Sequence, residues 1–213
     1  MLRSGDIVLF QGDSITDYMR KREDPDDLGN GYPFFVSALW NIEHPGINVK
    51  FLNRGISGNR VRDLKSRWTK DCIDLKPTVV SILIGINDTW RRFDSNDPIS
   101  VEDFERDYRF ILDKVKEIGS KIVILEPYLI ESVKSERTPN KEAWRIDLDP
   151  KIHVVRKLAL EYKAIFIPLD GIMAGYCSSK DPLFWSYDGV HPTVNGSVLI
   201  AKKWIEYVER FEM

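Results

Sequence analysis

The chain has 213 residues, of which 43% are hydrophobic and 30% charged, which is enough for one domain with a sizeable core. Thirty-one basic residues against 33 acidic ones leave a net charge of −2, so no global field directs the protein toward nucleic acid. The first ten residues hold only a short apolar run, Ile7 to Phe10, where a signal peptide needs ~7–15 apolar residues, and no stretch approaches the ~20 residues that cross a bilayer. We therefore expect one cytoplasmic domain over residues 1–213 that binds neither nucleic acid nor membrane.

Two local features of the sequence are interpreted as unrelated to function. Cys72 and Cys177 are the only cysteines and form no Cys-x-x-Cys motif, so we expect two reduced thiols rather than a disulfide. The basic run at residues 20–22 is followed at once by acidic residues at 23, 24, 26 and 27. This alternation of charge predicts a solvated loop.

Short apolar runs rich in β-branched residues recur along the chain and favour strands that are buried on both faces of a parallel sheet. They cover residues 6–10, 49–52, 78–84, 121–125 and 165–167. Segments with helical spacing lie between them. The alternation predicts an α/β fold, a three-layer α/β/α sandwich with a five-stranded parallel sheet and right-handed crossovers.

Two helices can be delimited from local signals. Ser100 with Asp103 resembles a capping box, and Gly119 is a suitable terminator for the helix between them. The last helix is expected to begin at Pro192, because proline is favoured in the first turn. The predicted buried stripes are Phe104, Tyr108, Ile111, Leu112, Val115 and Ile118 in the first helix, and Val194, Val198, Ala201, Ile205 and Val208 in the last.

A serine, a histidine and an aspartate have the spacing of a nucleophilic site. Ser14 follows the first apolar run directly, and Asp188 precedes His191 by three residues, close enough to meet in one turn. An acid that accepts from one ring nitrogen fixes the tautomer, so that the other nitrogen can take the proton of the serine. Each group also has a structural interpretation, since a serine after a strand or an aspartate before a helix commonly serves as a cap.

Two further residues could stabilise an oxyanion at the same sheet edge. Asn87 ends the third apolar run, and Gly58 offers a backbone N–H that no side chain obstructs. Asn87 could instead simply close a turn. Asp13 and Asn53 are expected to lie behind these groups and support them. Ligands of parallel sheets bind outside the carboxyl ends of the strands, where all these residues are expected to meet.

With these residues in order, the chain resembles the SGNH hydrolases, the GDSL-type lipase and esterase family. The family is named after a serine, a glycine, an asparagine and a histidine, which are matched in chain order by Ser14, Gly58, Asn87 and His191. The resemblance spans residues 6–196. It implies a flavodoxin-like α/β fold and a Ser14–His191–Asp188 triad without metal or cofactor. It also implies an oxyanion hole formed by the N–H groups of Ser14 and Gly58 and the Asn87 amide. Residues 12–17, 53–64 and 81–91 are most similar to bacterial acetyl xylan esterases that have no secretion signal.

Aromatic and polar residues around the predicted site suggest a carbohydrate, because aromatic faces stack on sugar rings while polar groups bind the hydroxyls. The candidate substrate contacts are Trp90, Arg91, Trp185 and Tyr187. The expected substrate is a small acyl ester, such as an acetylated xylo-oligosaccharide. Some of these aromatic residues could instead pack against another subunit, which leaves a homo-oligomer open. Trp40, Trp68 and Trp204 lie on helical segments and are expected in the core or an interface.

Three other functions are consistent with parts of the sequence. A lysophospholipase or thioesterase would use the same catalytic residues, although no aliphatic run lines the predicted mouth of the site. A metal-dependent phosphoesterase could use Asp13, Asn53, Asn87, Asp88 and His191, but its histidine-rich motifs are missing. A non-catalytic sugar-binding module would not need the Asp188–His191 pair. His44 and His153 are interpreted as surface residues outside the chemistry.

Overall fold

The computed structural model describes residues 2–211, in which a five-stranded parallel sheet has the strand order β2-β1-β3-β4-β5. The strands are β1 (Ile7–Gly12), β2 (Lys50–Asn53), β3 (Val79–Leu83), β4 (Lys121–Leu125) and β5 (Ile165–Ile167). The helices are α1 (Ser14–Asp17), α2 (Tyr32–Glu43), α3 (Val61–Asp71), α4 (Ile86–Asp94), α5 (Val101–Glu117), α6 (Lys141–Glu161), α7 (Leu169–Ser179) and α8 (Val194–Arg210). The three-layer prediction is confirmed, and β4 and β5 have the predicted bounds.

Each strand contributes alternate side chains to two separate apolar cores, one on each face of the sheet. In β1, Val8 and Phe10 pack in the core that α2 and α8 cover, whereas Leu9 packs in the core that α3 and α5 cover. This arrangement follows from the two-residue repeat of a strand. Because both faces are covered, the strands are continuously apolar and leave only the sheet edge for polar chemistry.

Helix α5 has the predicted bounds and cap. The Ser100 side chain accepts a hydrogen bond from the Asp103 N–H, and Gly119 adopts a left-handed conformation with φ +72° just after the helix. Its predicted stripe is buried except for Ile118, which lies at the end of the helix and is exposed. The three tryptophans expected in the core or an interface, Trp40, Trp68 and Trp204, are fully buried in the core.

The predicted start of the last helix is wrong by two residues. Helix α8 begins at Val194, and Thr193 caps it by accepting a hydrogen bond from the Gly196 N–H. Pro192 instead forms an antiparallel bridge with Ser186 and is buried. Because the helix starts later, Val194 lies on its first turn and is exposed rather than part of the buried stripe, and Val198 is only half-buried.

The charged loop after α1 is exposed over residues 21–24 and 26, as predicted, but its first residue is not. Arg20 is buried, and its guanidinium donates to the Gly55 carbonyl at 3.1 Å. The exposed Arg22 donates to the buried carboxylate of Asp17 at 2.6 Å. Local sequence shows the alternation of charge but not the partner of Arg20, which lies in the β2–α3 loop. Arg20 therefore supports the sheet edge, while most of the loop remains in solvent.

Both cysteines are free thiols, Cys72 buried and Cys177 half-buried, as expected. No helix among residues 2–211 is both long and apolar enough to cross a lipid bilayer.

Candidate active site

The turn from β1 into α1 presents Ser14 at the carboxyl edge of the sheet. A side chain on Gly12 would lie 2.2 Å from the Thr16 hydroxyl and 2.4 Å from the Leu83 carbonyl, so only glycine fits this tight turn. Asp13 then caps α1 by accepting a hydrogen bond from the Ile15 N–H at 3.0 Å. Burial raises the pKa of Asp13 to about 6. Ser14 is thus the first helical residue and is half-buried.

Asp188 and His191 meet within one tight turn, as their spacing predicts. The carboxylate accepts from the backbone N–H groups of Val190 at 3.0 Å and His191 at 2.8 Å, and from His191 Nδ1 at 2.7 Å. Burial raises the pKa of Asp188, but these hydrogen bonds outweigh it and lower the pKa to about 2. Asp188 is therefore ionised at neutral pH and holds the imidazole in one orientation.

The serine and histidine are in direct contact although they lie at opposite ends of the chain. Ser14 Oγ is 2.9 Å from His191 Nε2. Because Nδ1 faces the Asp188 carboxylate, it carries the proton and leaves Nε2 as the acceptor for the serine hydroxyl. The three side chains form a continuous hydrogen-bonded series, an arrangement that activates a serine nucleophile.

Three N–H groups at the same edge could bind an oxyanion. Asn87 Nδ2 donates one proton to the Asn59 carbonyl at 3.1 Å, so its second proton remains available. Gly58 has φ +82°, a conformation that favours glycine and exposes its N–H. Within residues 2–211, neither the Ser14 N–H nor the Gly58 N–H donates a hydrogen bond to the protein. All three residues line one cavity.

This cavity has a volume of about 240 Å³ and contains both Ser14 and His191 in its wall. Its lining residues are Ser14, Ser57, Gly58, Asn87, Trp90, Arg91, Asp94, Arg137 and His191. The volume is small for a ligand site, since drug-sized pockets occupy about 300–1,000 Å³. The cavity brings together a serine hydroxyl, an imidazole and N–H groups, which are the chemical groups that acyl transfer requires.

Comparisons with known proteins agree with this geometry. The profile of the GDSL-like lipase/acylhydrolase family matches residues 10–199. An acetylxylan esterase from Geobacillus stearothermophilus is 33% identical over 213 residues, which cover 96% of this chain and 94% of that relative. The chain belongs to the GDSL-like lipase/acylhydrolase family. It is accordingly a carboxylic ester hydrolase, and the resemblance inferred from the four motif residues is confirmed at the family level.

Solved structures of the same family superpose closely on the chain. A protein from Parabacteroides merdae, described as a GDSL-like lipase, has a TM-score of 0.93 and 34% identity, with 98% of both chains covered. A catalytic mutant of Axe2, an acetylxylan esterase from Geobacillus stearothermophilus, has a TM-score of 0.87 and 32% identity, with 97% of this chain and 95% of that chain covered. The fold of this chain is therefore that of these family members.

Buried polar residues behind the cavity fix its loops. Asn53 donates to the carbonyls of Thr16 at 2.6 Å and Leu28 at 2.8 Å, and accepts from the Gly55 N–H at 2.8 Å. Asp17 accepts from both the N–H and the hydroxyl of Ser57. The α1 segment and the β2–α3 loop are therefore held together, which sets the position of Gly58 relative to Ser14.

The four predicted substrate contacts occupy two different environments. Trp90 and Arg91 line the cavity, and the Trp90 ring lies 5.7 Å from the His191 ring. Trp144 is buried and packs edge-on against Trp90 at 5.1 Å. Trp185 is half-buried against Tyr176 and Phe184, and Tyr187 is 57% exposed; neither lines the cavity. The geometry thus supports a substrate contact for the first pair only.

Sequence reasoning missed three lining residues: Ser57, Asp94 and Arg137. Asp94 forms an ion pair with Arg91 across one turn of α4, a spacing that the sequence does show. Arg137 has no such signal, because its partner Asp188 lies far along the chain.

Only one group of three side chains within residues 2–211 has atoms close enough together to hold a metal ion. It comprises Glu43, His44 and Glu209, at the ends of α2 and α8. This group precedes β2 and so lies at the amino edge of the sheet, opposite Ser14. None of the residues named for a metal-dependent phosphoesterase belongs to this group. His44, expected to be a surface residue, is half-buried: it stacks on Trp40 and hydrogen-bonds with Glu209 at 2.6 Å. His153 is exposed.

Proposed function

We propose that the enzyme removes short acyl groups, above all acetyl groups, from carbohydrate esters such as acetylated xylo-oligosaccharides. The observation that carries the proposal is the hydrogen-bonded series from Ser14 Oγ through His191 to Asp188, which opens on a cavity of only about 240 Å³. A small cavity next to an activated serine suits a short acyl group.

In the proposed reaction, Ser14 is the nucleophile and His191 the base. His191 Nε2 takes the hydroxyl proton while Ser14 Oγ bonds to the ester carbonyl carbon. The N–H groups of Ser14 and Gly58 and the Asn87 amide stabilise the resulting oxyanion. The bond between the carbonyl carbon and the alcohol oxygen then breaks, and His191 returns its proton to the departing sugar hydroxyl. Water, activated by the same histidine, hydrolyses the acyl-enzyme and restores the serine.

The walls of the cavity support a short acyl group and a sugar leaving group. Trp90 cannot move aside easily, since Trp144 packs behind it and Phe93 in turn stacks on Trp144 at 5.2 Å. Arg91 lies above Gly58, with its Nη2 only 3.3 Å from where a side chain at that position would begin. An aromatic face beside polar groups is suited to a sugar ring. The acetylxylan esterase relative supports the same substrate class.

Replacement of Ser14 tests the nucleophile. We expect Ser14→Ala to lower kcat by up to about 10⁶, because a triad nucleophile has no substitute. The melting temperature should change little, and a serine-directed fluorophosphonate should label the unmodified protein at Ser14 alone. The assay is hydrolysis of an acetyl ester with the melting temperature as control. Retention of more than about a thousandth of the activity would show that another residue attacks the ester.

The acyl-chain preference tests the size of the pocket. Each methylene that fits a pocket gains roughly 1 kcal/mol, about five-fold in rate, so a lipase becomes faster as the chain lengthens. We expect the opposite order, with acetyl esters hydrolysed fastest, measured on nitrophenyl esters from acetate to octanoate. A maximum at hexanoate or beyond would contradict the acetylesterase proposal. It would favour the lysophospholipase or thioesterase alternative, which lysolipids and acyl-CoA assayed beside acetylated xylo-oligosaccharides would then separate.

A further inference from the structure

The segment between β4 and α6 is built onto the Asp188 turn. The buried Thr138 hydroxyl donates to the Asp188 carbonyl at 2.6 Å, and the Ile130 N–H donates to the Gly189 carbonyl at 2.8 Å. Gly189 has φ +92°, and a side chain there would lie 2.6 Å from the Ile130 carbonyl. These contacts hold Arg137, the residue before Thr138, next to the Asp188 carboxylate.

Arg137 forms an ion pair with that carboxylate, whose oxygens also accept three hydrogen bonds. The oxygen Oδ1 accepts from the backbone N–H groups of Val190 and His191, and Oδ2 accepts from His191 Nδ1. Arg137 Nη1 lies 3.2 Å from Oδ2 and pairs with its charge. Its guanidinium carbon also lies 5.8 Å from the centre of the Trp90 ring, which faces His191.

We propose that Arg137 is a positioning residue for the His191–Asp188 pair, and that its positive charge extends the activity of the enzyme to lower pH than the pair alone would allow. The inference rests on the proposed function. A cation that shares Oδ2 weakens the attraction of Asp188 for a proton on the imidazole. Arg137 also restrains the rotation of the carboxylate, because its charge attracts Oδ2.

The other charges near His191 come from several elements. Asp188 lies in its own turn, and Asp13, whose pKa responds to His191, lies at the start of α1. Arg91 and Asp94 of α4 line the cavity and neutralise each other as an ion pair. Lys141 of α6, whose pKa burial lowers, is attracted by Asp188 and donates to the Val133 carbonyl. Arg137 is the one cation among these that pairs directly with Asp188.

The test compares the pH–activity profiles of Arg137→Gln and Arg137→Lys with that of the unmodified enzyme. Removing the charge should move the midpoint of the acid limb upward by roughly 0.5 pH unit, since the guanidinium is 66% exposed and its field is partly screened. Arg137→Lys keeps the charge and should restore the midpoint. High salt should reduce the difference between Arg137→Gln and the unmodified enzyme.

The protein offers a matched control in Arg156→Gln. Arg156 is also a half-exposed arginine that pairs with a buried carboxylate, Glu126, at 2.5 Å, but it lies outside the cavity. Its loss should lower the melting temperature without moving the midpoint.

Two results would overturn the inference: an unchanged midpoint in Arg137→Gln, or a change in KM alone, which would make Arg137 a substrate contact. These results are distinguishable from failure of the proposed function. If Ser14→Ala is inactive and the Arg137→Gln midpoint does not move, only the role of Arg137 is wrong. If Ser14→Ala remains active, the proposed chemistry is wrong whatever Arg137 does.

Discussion

Two buried aspartates, Asp188 and Asp88, lie at the same sheet edge but differ in protonation at neutral pH. Asp188 is ionised, whereas Asp88 holds a proton. Hydrogen bonds to Asp188 outweigh its burial and lower its pKa to about 2. Burial raises the pKa of Asp88 to about 8, although the Val61 N–H and the Lys151 charge act in the opposite direction. Both side chains are nearly inaccessible to solvent, but Asp88 is the more deeply enclosed. The two carboxylates also differ in what they accept.

Asp188 accepts hydrogen bonds from two backbone N–H groups and an imidazole, and forms an ion pair with a guanidinium. Asp88 receives one backbone N–H, that of Val61, shared between its two oxygens at 3.3 and 3.2 Å. A buried carboxylate with several donors keeps its charge, whereas one with a single donor takes up a proton. Of these two carboxylates, only Asp188, in the turn that contains His191, therefore keeps its charge at neutral pH.

Replacement of each aspartate by asparagine should have different effects, and the larger one is expected at Asp188. Asp188→Asn would turn an amide N–H toward His191 Nδ1, which favours the tautomer that cannot accept the serine proton. We expect kcat to fall by about 10⁴ with little change in the far-UV spectrum. Hydrolysis of a nitrophenyl acetate at saturating concentration measures it. A loss below about ten-fold would show that Asp188 does not orient the histidine.

Asn87 directly precedes Asp88 in the chain, but we expect it to act in catalysis rather than in stability. Asn87→Ala removes the amide proposed to bind the oxyanion, together with the hydrogen bond to the Asn59 carbonyl. We expect kcat to fall by about 10²–10³ with KM nearly constant, because the donor acts mainly in the transition state. Steady-state kinetics on one acetyl ester separate the two parameters. A change confined to KM would make Asn87 a substrate contact instead.

Much of this molecule follows from short local patterns. The runs that form β4 and β5 are continuous and apolar because both faces of the sheet are covered, so their bounds could be predicted. The Asp188–His191 contact is equally local, since three residues span one turn. Ser14, Gly58 and Asn87 could be assigned to the same edge because each follows a strand of a parallel sheet.

What could not be predicted depends on partners that are distant in sequence. Arg137 meets Asp188 only because the β4–α6 segment folds back onto the last turn. Arg20 is buried because its guanidinium binds the Gly55 carbonyl, although it begins a charged run. Pro192 begins no helix, because its bridge with Ser186 delays the first turn of α8 until Thr193 can cap it. Residue types alone carry no information on these pairings.

The smallest effect is expected at the second aspartate, where Asp88→Asn should alter stability rather than catalysis. The pKa of Asp88 is about 8 in the folded protein and near its ordinary 3.8 when unfolded, so the folded state holds a proton that the unfolded state releases. Stability contributed by Asp88 is therefore fully present below about pH 4 and is lost as the pH rises through about 8.

An asparagine amide resembles the protonated carboxyl and does not titrate. The variant should keep its activity to within about three-fold and melt a few degrees higher than the unmodified protein at pH ~9, with a flatter melting profile between pH ~6 and ~9. Thermal denaturation across this range, with Asp188→Asn as the comparison, measures the difference. Parallel melting profiles for Asp88→Asn and the unmodified protein would show that Asp88 is ionised in the folded state, and that the two carboxylates are alike after all.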